Sequence, residues 1–192
     1  FHEAIDEHCR VARTNAPLAE GSLLALAHNT RYPVVQGPMA RVSDVPAFAH
    51  AVAKSGALPF LAASWMNRQE LDSLLAATGS LLKDSPWGIG LLGFLPPETY
   101  IEQLQAVLRH RPPFALLAGG QPYQAKTLEQ EGITTYLHVP SPGLMRMFLD
   151  DDIRRFVLEG CESGGHVGPL SSFVLWNLMI DILLEHLDRA PD

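Results

Sequence analysis

Two cysteines, Cys9 and Cys161, are all that the 192-residue chain contains. They are too few for a disulfide framework and form no CxxC pair, so the expected setting is reducing and cytoplasmic. Basic residues are scarce too: 14 Lys and Arg face 21 Asp and Glu, for a formal charge of -7. That balance lacks the positive footprint that attracts phosphate backbones or anionic lipids, so neither nucleic acid nor membrane is an expected partner. Long hydrophobic runs are also missing. The stretches Ala57 to Ala63 and Ile89 to Leu95 are broken by Gly or Pro and fall short of the ~20 residues of a helical membrane span. Near the C-terminus, Asn177, Asp181 and Glu185 interrupt the greasiest segment. No secretory signal is visible, because Phe1 to Arg10 is charged rather than apolar. With Phe rather than Met in first place, the chain is expected to be a piece of a longer polypeptide. What the sequence does have is 47% hydrophobic residues, enough for one sizeable core and too many for wholesale disorder.

Residues 1–30 read as a helical, amphipathic entry segment: Ala4, Ile5, Cys9 and Val11 are interrupted by charges, then Pro17 and Gly21 punctuate the chain. From residue 31 to 192, short apolar runs alternate with stretches of helical period. The runs begin near Pro33, Leu58, Gly88, Phe114, Thr134 and Phe156; between them Val45 to Ser55, Asn67 to Leu82, Pro97 to His110, Pro122 to Gln130 and Pro142 to Leu149 carry apolar residues at three- and four-residue spacing. Such alternation predicts parallel strands joined by crossover helices. Asp44 and Asn67 stand where helix-capping side chains belong. A final helix, about Ser171 to Leu187, is apolar on so many sides that cover from more than one direction is expected.

Runs apolar at nearly every position mean burial on both sheet faces, which suits a doubly wound sheet or a (β/α) barrel. Polar or glycine-rich punctuation closes nearly every run: Gln36-Gly37, Ser64, Gly93, Gly119-Gly120-Gln121, Pro140-Ser141 and Gly164-Gly165-His166. Strand ends sharing one site favour a TIM (β/α)8-type α/β barrel. Eight units take about 250 residues, and about six βα units are countable here. The last strands are therefore expected to be missing, leaving edges on the first and sixth strands that invite self-association or a larger folded chain.

The densest cluster of chemistry is Glu162-Ser163-Gly164-Gly165-His166-Val167-Gly168, directly after the sixth strand. Paired glycines let backbone approach a flat or anionic ligand closely, and an imidazole at the mouth can exchange a proton near neutral pH. A structural turn is the equal alternative. Gln36-Gly37-Pro38-Met39 offers an open backbone, a rigid loop and a polarizable apolar contact, or an ordinary strand-to-helix turn with Met39 in the core. Several signals read as structural. The histidines of HEAIDEH are spaced too widely for two ligands on one helical face, Asp150-Asp151-Asp152 reads as a polar loop, and Cys161 as a packed thiol. No metal site is expected. His138 closes the fifth strand as a secondary substrate contact or a structural histidine, and Glu162 is placed to orient backbone or His166.

QGPM after the first strand, AGGQP after the fourth and above all EGCESGGHVGP after the sixth resemble the FMN-dependent nitronate monooxygenase family, formerly 2-nitropropane dioxygenases, which includes flavin-dependent enoyl-acyl-carrier-protein reductases. The likeness spans about Arg31 to Leu187. RYPVVQGPM, TYLHVPSPGL and SSFVLWN resemble most the flavin barrels of bacterial type I polyketide and polyunsaturated fatty acid synthases. The resemblance implies FMN at the C-terminal mouth of the barrel, with Gly37, Pro38 and Met39 near the isoalloxazine and Gly90, Gly164 and Gly165 giving backbone room. Gly90 stands where the family commonly has a polar residue such as Asn. The family's catalytic histidine falls on His166, as base or hydrogen-bonding partner of a nitroalkane or nitronate, or beside an enoyl thioester reduced with NAD(P)H. Acyl carrier protein and neighbouring synthase domains are the implied partners. The flavin phosphate is expected on loops after strands seven and eight, so FMN binding by these residues alone is expected to be poor. A noncatalytic scaffold barrel that has lost flavin binding is the alternative from another functional class.

Overall fold

The computed structural model describes residues 1–189. Six parallel strands are paired in strict sequence order: β1 (Val35–Gln36), β2 (Leu58–Ala62), β3 (Gly88–Leu92), β4 (Phe114–Ala118), β5 (Thr134–Val139) and β6 (Phe156–Leu158). Eight helices accompany them: α1 (His2–Asn15), α2 (Leu23–His28), α3 (Pro46–Lys54), α4 (Arg68–Leu82), α5 (Pro97–His110), α6 (Pro122–Gln130), α7 (Pro142–Asp150) and α8 (Ser172–Arg189). In a doubly wound sheet the strand order reverses at a switch point. Here every strand pairs with its predecessor, and the sheet curls into an arc of a TIM-type barrel with the crossover helices outside.

Strand alternation sorts the apolar residues into two layers. Leu61, Ile89, Leu91, Ala115, Leu117, Leu137 and Val139 face the helices and join Leu71, Leu75, Val107, Leu128 and Phe148 in the main core. On the inner side Leu58, Phe60, Phe114 and Leu116 form a second cluster with Tyr136 and Val157. Each fully buried Leu or Phe contributes about 1.5–3 kcal/mol relative to exposure. Helix α2 lies against this inner cluster: the buried His28 ring meets Phe114 edge-on, and its Nε2 lies 2.7 Å from the Tyr136 hydroxyl. Part of the entry segment thus packs against the barrel interior, whereas α1 buries none of its residues.

Asn67 caps α4 as its residue type predicts. Its Oδ1 accepts from the Glu70 amide at 3.0 Å, and the Glu70 carboxylate accepts from the Asn67 amide at 2.9 Å, a reciprocal box. Asp44 makes no such cap. The residue before α3 is Val45, without a capping side chain, and Pro46 opens the helix, so the proline removes one of the amides that Asp44 was expected to satisfy. A second correction concerns α8. Only Leu175, Met179 and Ile182 are buried, a single stripe at helical spacing, while Phe173, Trp176, Ile180, Leu184 and Leu187 are all more than half exposed. The helix is covered from one side, chiefly by α7, and by β6. No helix among the described residues is long and apolar enough to cross a membrane.

Candidate functional site at the strand C-termini

The inner face carries the site because side chains two apart on a strand share a face. Above the apolar layer of Tyr136 and Val157, the next inward positions are His138 on β5 and Glu159, just past β6. His138 Nδ1 lies 3.3 Å from Glu159 Oε2, and the two side chains are only 16% and 11% exposed. The contact is off the hydrogen-bonding line, leaving Nδ1 buried and unpaired. Burial, reinforced by the charge of nearby His166, pushes the His138 pKa down to about 4. Burial also pushes the Glu159 carboxyl above its ordinary range, with His166 pulling the other way. His166 itself is exposed, and its ring meets Phe94 edge-on at a centroid distance of 5.6 Å. The loop after β3, the C-terminal end of β5 and the loop after β6 therefore converge at the mouth.

The loops are held from behind by two buried glutamines. Gln103 on α5 donates to the carbonyls of Ser64 and Met66 at 3.1 and 2.9 Å, fixing the loop after β2. Gln124 on α6 donates to Gly93 O at 3.1 Å and accepts from the Gln121 amide at 2.7 Å, tying together the loops after β3 and β4. Phe94 follows Gly93 directly, so the Gln124 clamp places the ring that meets His166. In the motif loop, Ser163 Oγ donates to the carbonyls of Gly160 and His166 at 2.8 and 3.0 Å. The Glu162 carboxylate accepts from the Ser172 amide at 2.9 Å through both oxygens, capping α8. Hydrogen bonds from its own amide and that of Ser172 hold the Glu162 carboxyl below its ordinary range. Of the two expected roles for Glu162, the structure shows the backbone one.

The six positions singled out as flavin neighbours divide in two. A Cβ added at Gly37, Gly164 or Gly165 would meet nothing within 4 Å, so their backbone is open to a flat ligand; Gly165 also takes a φ of +91°, which favours glycine. Met39 is exposed rather than in the core, and its amide and carbonyl are both hydrogen-bonded to Ser43 Oγ. Gly90, by contrast, is buried beneath Pro38, whose ring occupies the space a side chain would need. The backbone at Gly37, Gly164 and Gly165 thus leaves the room that a flat ring such as a flavin needs. Phosphate-holding loops in such barrels follow strands seven and eight, and the six strands described here include neither. Cys161 corrects another expectation. It is exposed, because it lies past the end of β6, in the loop rather than the strand. A cavity of about 600 Å³ lies at the loop after β2, lined by Arg41, Asp44, Ser64, Trp65, Met66 and Glu70 among others, and is not lined by His138, Glu159, His166 or the open glycines.

Glu159, Phe94, Gln103 and Gln124 were not marked as site residues by their motifs. Period-two alternation from Val157 is the signal that places Glu159 inward; for the glutamines the sequence carries none beyond their position on amphipathic helices.

Together the arc and its mouth define a (β/α)-barrel protein with a polar site at the strand C-termini, the position where barrel enzymes keep theirs. No family model matches the chain, and no curated protein matches it. Solved structures do. FabK from Thermotoga maritima superposes with a TM-score of 0.72 at 24% identity, over 81% of this chain and 49% of that one. A nitroalkane oxidase from Streptomyces ansochromogenes gives 0.72 at 19% identity, over 82% and 57%. The enoyl reductase domain of MlnA, from the macrolactin biosynthesis cluster of Bacillus amyloliquefaciens, gives 0.62 at 14%, over 86% and 47%. The chain spans about half the length of the structures it matches. At these identities the likeness is one of fold.

Proposed function

We propose that the chain is the larger part of an FMN-dependent oxidoreductase barrel of the nitronate monooxygenase and enoyl reductase kind, working in the cytoplasm as a domain of a polyketide or fatty acid synthase. Its substrate is an enoyl group on an acyl carrier protein or a small nitronate-like carbon acid, with NAD(P)H as reductant in the first case. The observation that carries this reading is the convergence of His166, His138, Glu159 and the Phe94 ring at the barrel mouth, beside the open glycines of the motif. Gly37, Met39, Gly164 and Gly165 would line the flavin ring, and Pro38 would stiffen the loop that carries two of them. The flavin, when bound, accepts or passes on a hydride equivalent. His166 holds or releases the proton that accompanies that transfer, and the Phe94 edge restrains its ring. Gln124 and Ser163 keep the two loops in register, so that the imidazole meets the substrate at a fixed place.

The test is reconstitution with FMN of the full-length domain, seventh and eighth strands included, followed by anaerobic mixing with NADPH and an enoyl thioester and aerobic mixing with a nitroalkane. A flavin absorbance that stays with the protein and turnover in one assay are expected, with His166→Ala slower by roughly 10²–10⁴-fold, the usual contribution of a positioned acid or base. Full turnover by that variant would remove His166 from its role. A protein that stays colourless with added FMN would favour the noncatalytic scaffold.

A further inference from the structure

Glu159 and His138 lie within the sixth- and fifth-strand motifs, yet the proposed function gives neither a chemical role, although the inner face sets them side by side at the mouth. Their buried contact is through Nδ1. The other ring nitrogen, Nε2, is neither hydrogen-bonded nor among the buried unpaired atoms, so it is the nitrogen on the accessible side. An ionised carboxylate only accepts hydrogen bonds, and the proton facing Glu159 must then sit on Nδ1. A neutral imidazole protonated at Nδ1 presents a bare lone pair at Nε2. The pair is 3.3 Å apart and imperfectly aligned, as contacts at sites without ligand commonly are before they tighten on binding.

We propose that Glu159 is a positioning residue that fixes His138 as an acceptor-only imidazole, selecting ligands that bring an N–H or O–H donor to the mouth. This rests on the reading of that mouth as the substrate site and adds a substrate class to it: amide- or hydroxyl-bearing acyl compounds in preference to simple nitroalkanes, which have no such donor. It also divides the work between the two imidazoles. The exposed His166 is left to exchange protons with solvent, and the buried His138, held neutral, orients the ligand. A ligand that cannot satisfy a buried acceptor loses about tenfold in affinity or more.

Two-bond ¹H–¹⁵N spectra of the labelled full chain at pH 7 report the tautomer of each imidazole, with His138 assigned by its loss in His138→Asn. We expect the Nδ1–H tautomer. The Nε2 resonance should shift on titration with crotonyl-N-acetylcysteamine, which carries an amide N–H, and stay still with nitroethane. Glu159→Leu should move the tautomer toward Nε2–H and weaken the amide probe about tenfold, whereas Glu159→Gln, whose amide oxygen still accepts, should keep both. An Nε2–H tautomer in the unsubstituted chain overturns the proposal without any variant having to fold. So does a tautomer indifferent to Glu159→Leu, an equal response to nitroethane, or no response to the amide probe. None of these readouts needs flavin, so failed FMN reconstitution with the expected tautomer would count against the proposed function and not against the pairing.

Discussion

Replacing Gly90 by Ala puts one methyl group into the contact that joins the first strand's loop to the third strand. A Cβ there would collide with Cβ and Cγ of Pro38 and come within 3.4 Å of Leu61 O. A proline ring has no flexible end to swing away, so either the loop carrying Gly37 to Met39 lifts or the strand shifts. Overpacking of this kind costs about 1–3 kcal/mol. With a urea m-value of about 2 kcal/mol/M, a loss of about 2 kcal/mol lowers the unfolding midpoint by about 1 M. Gly164→Ala is the control, since a methyl group there meets nothing within 4 Å, and it should stay within about 0.5 kcal/mol of the parent, as surface changes do. Pro38→Gly should restore most of the loss in the Gly90→Ala background, because two residues in contact are not additive. A Gly90→Ala chain as stable as the parent, or a double variant that simply sums its two parts, would refute the packing of Pro38 on Gly90.

Two further outcomes are expected. The depressed His138 pKa gives a stabilisation fully present above the unfolded value of about 6.5 and lost as pH falls through about 4, of the order of 3 kcal/mol for the group alone. Glu159 acts oppositely through its raised pKa, and His166 is the other charge facing the pair, so denaturation at several pH values should show a slope that flattens in His138→Gln and steepens in Glu159→Gln. The exposed apolar face of α8, with Phe173, Trp176, Ile180, Leu184 and Leu187, and the unpaired edges of β1 and β6 should make the 21.0 kDa chain self-associate. Light scattering coupled to size exclusion that gives a monomer across micromolar concentrations would contradict this.

The fold was legible because its signals are local and repeated. Apolar runs at both-face burial gave the starts of all six strands within two residues of those observed, and Pro97, Pro122 and Pro142 each open a helix where expected. What misled was local chemistry overridden by neighbours. Asp44 has the right side chain for a cap, but Pro46 had already removed an amide. Cys161 follows an apolar run, but β6 ends at Leu158 and leaves it in the loop. The greasiness of α8 predicted cover on several sides, yet composition cannot tell a helix that is surrounded from one whose apolar face is left bare.

The site shows the same division more sharply. A glycine pair and a histidine announce themselves, because few residues permit that backbone and that proton chemistry. Glu159 does not, since an acidic residue after a strand is ordinary. It acquires meaning only when the curl of the sheet sets two inward positions on adjacent strands side by side and takes both out of water. Desolvation opposes charge on either partner, and a proton on the imidazole nitrogen that faces the carboxylate would leave one lone pair facing outward. Motif reading finds groups whose chemistry is intrinsic. Groups whose chemistry is conferred by burial have to be found in the fold, and at this mouth Glu159 follows the same strand as the motif histidine while His138 stands on the strand beside it.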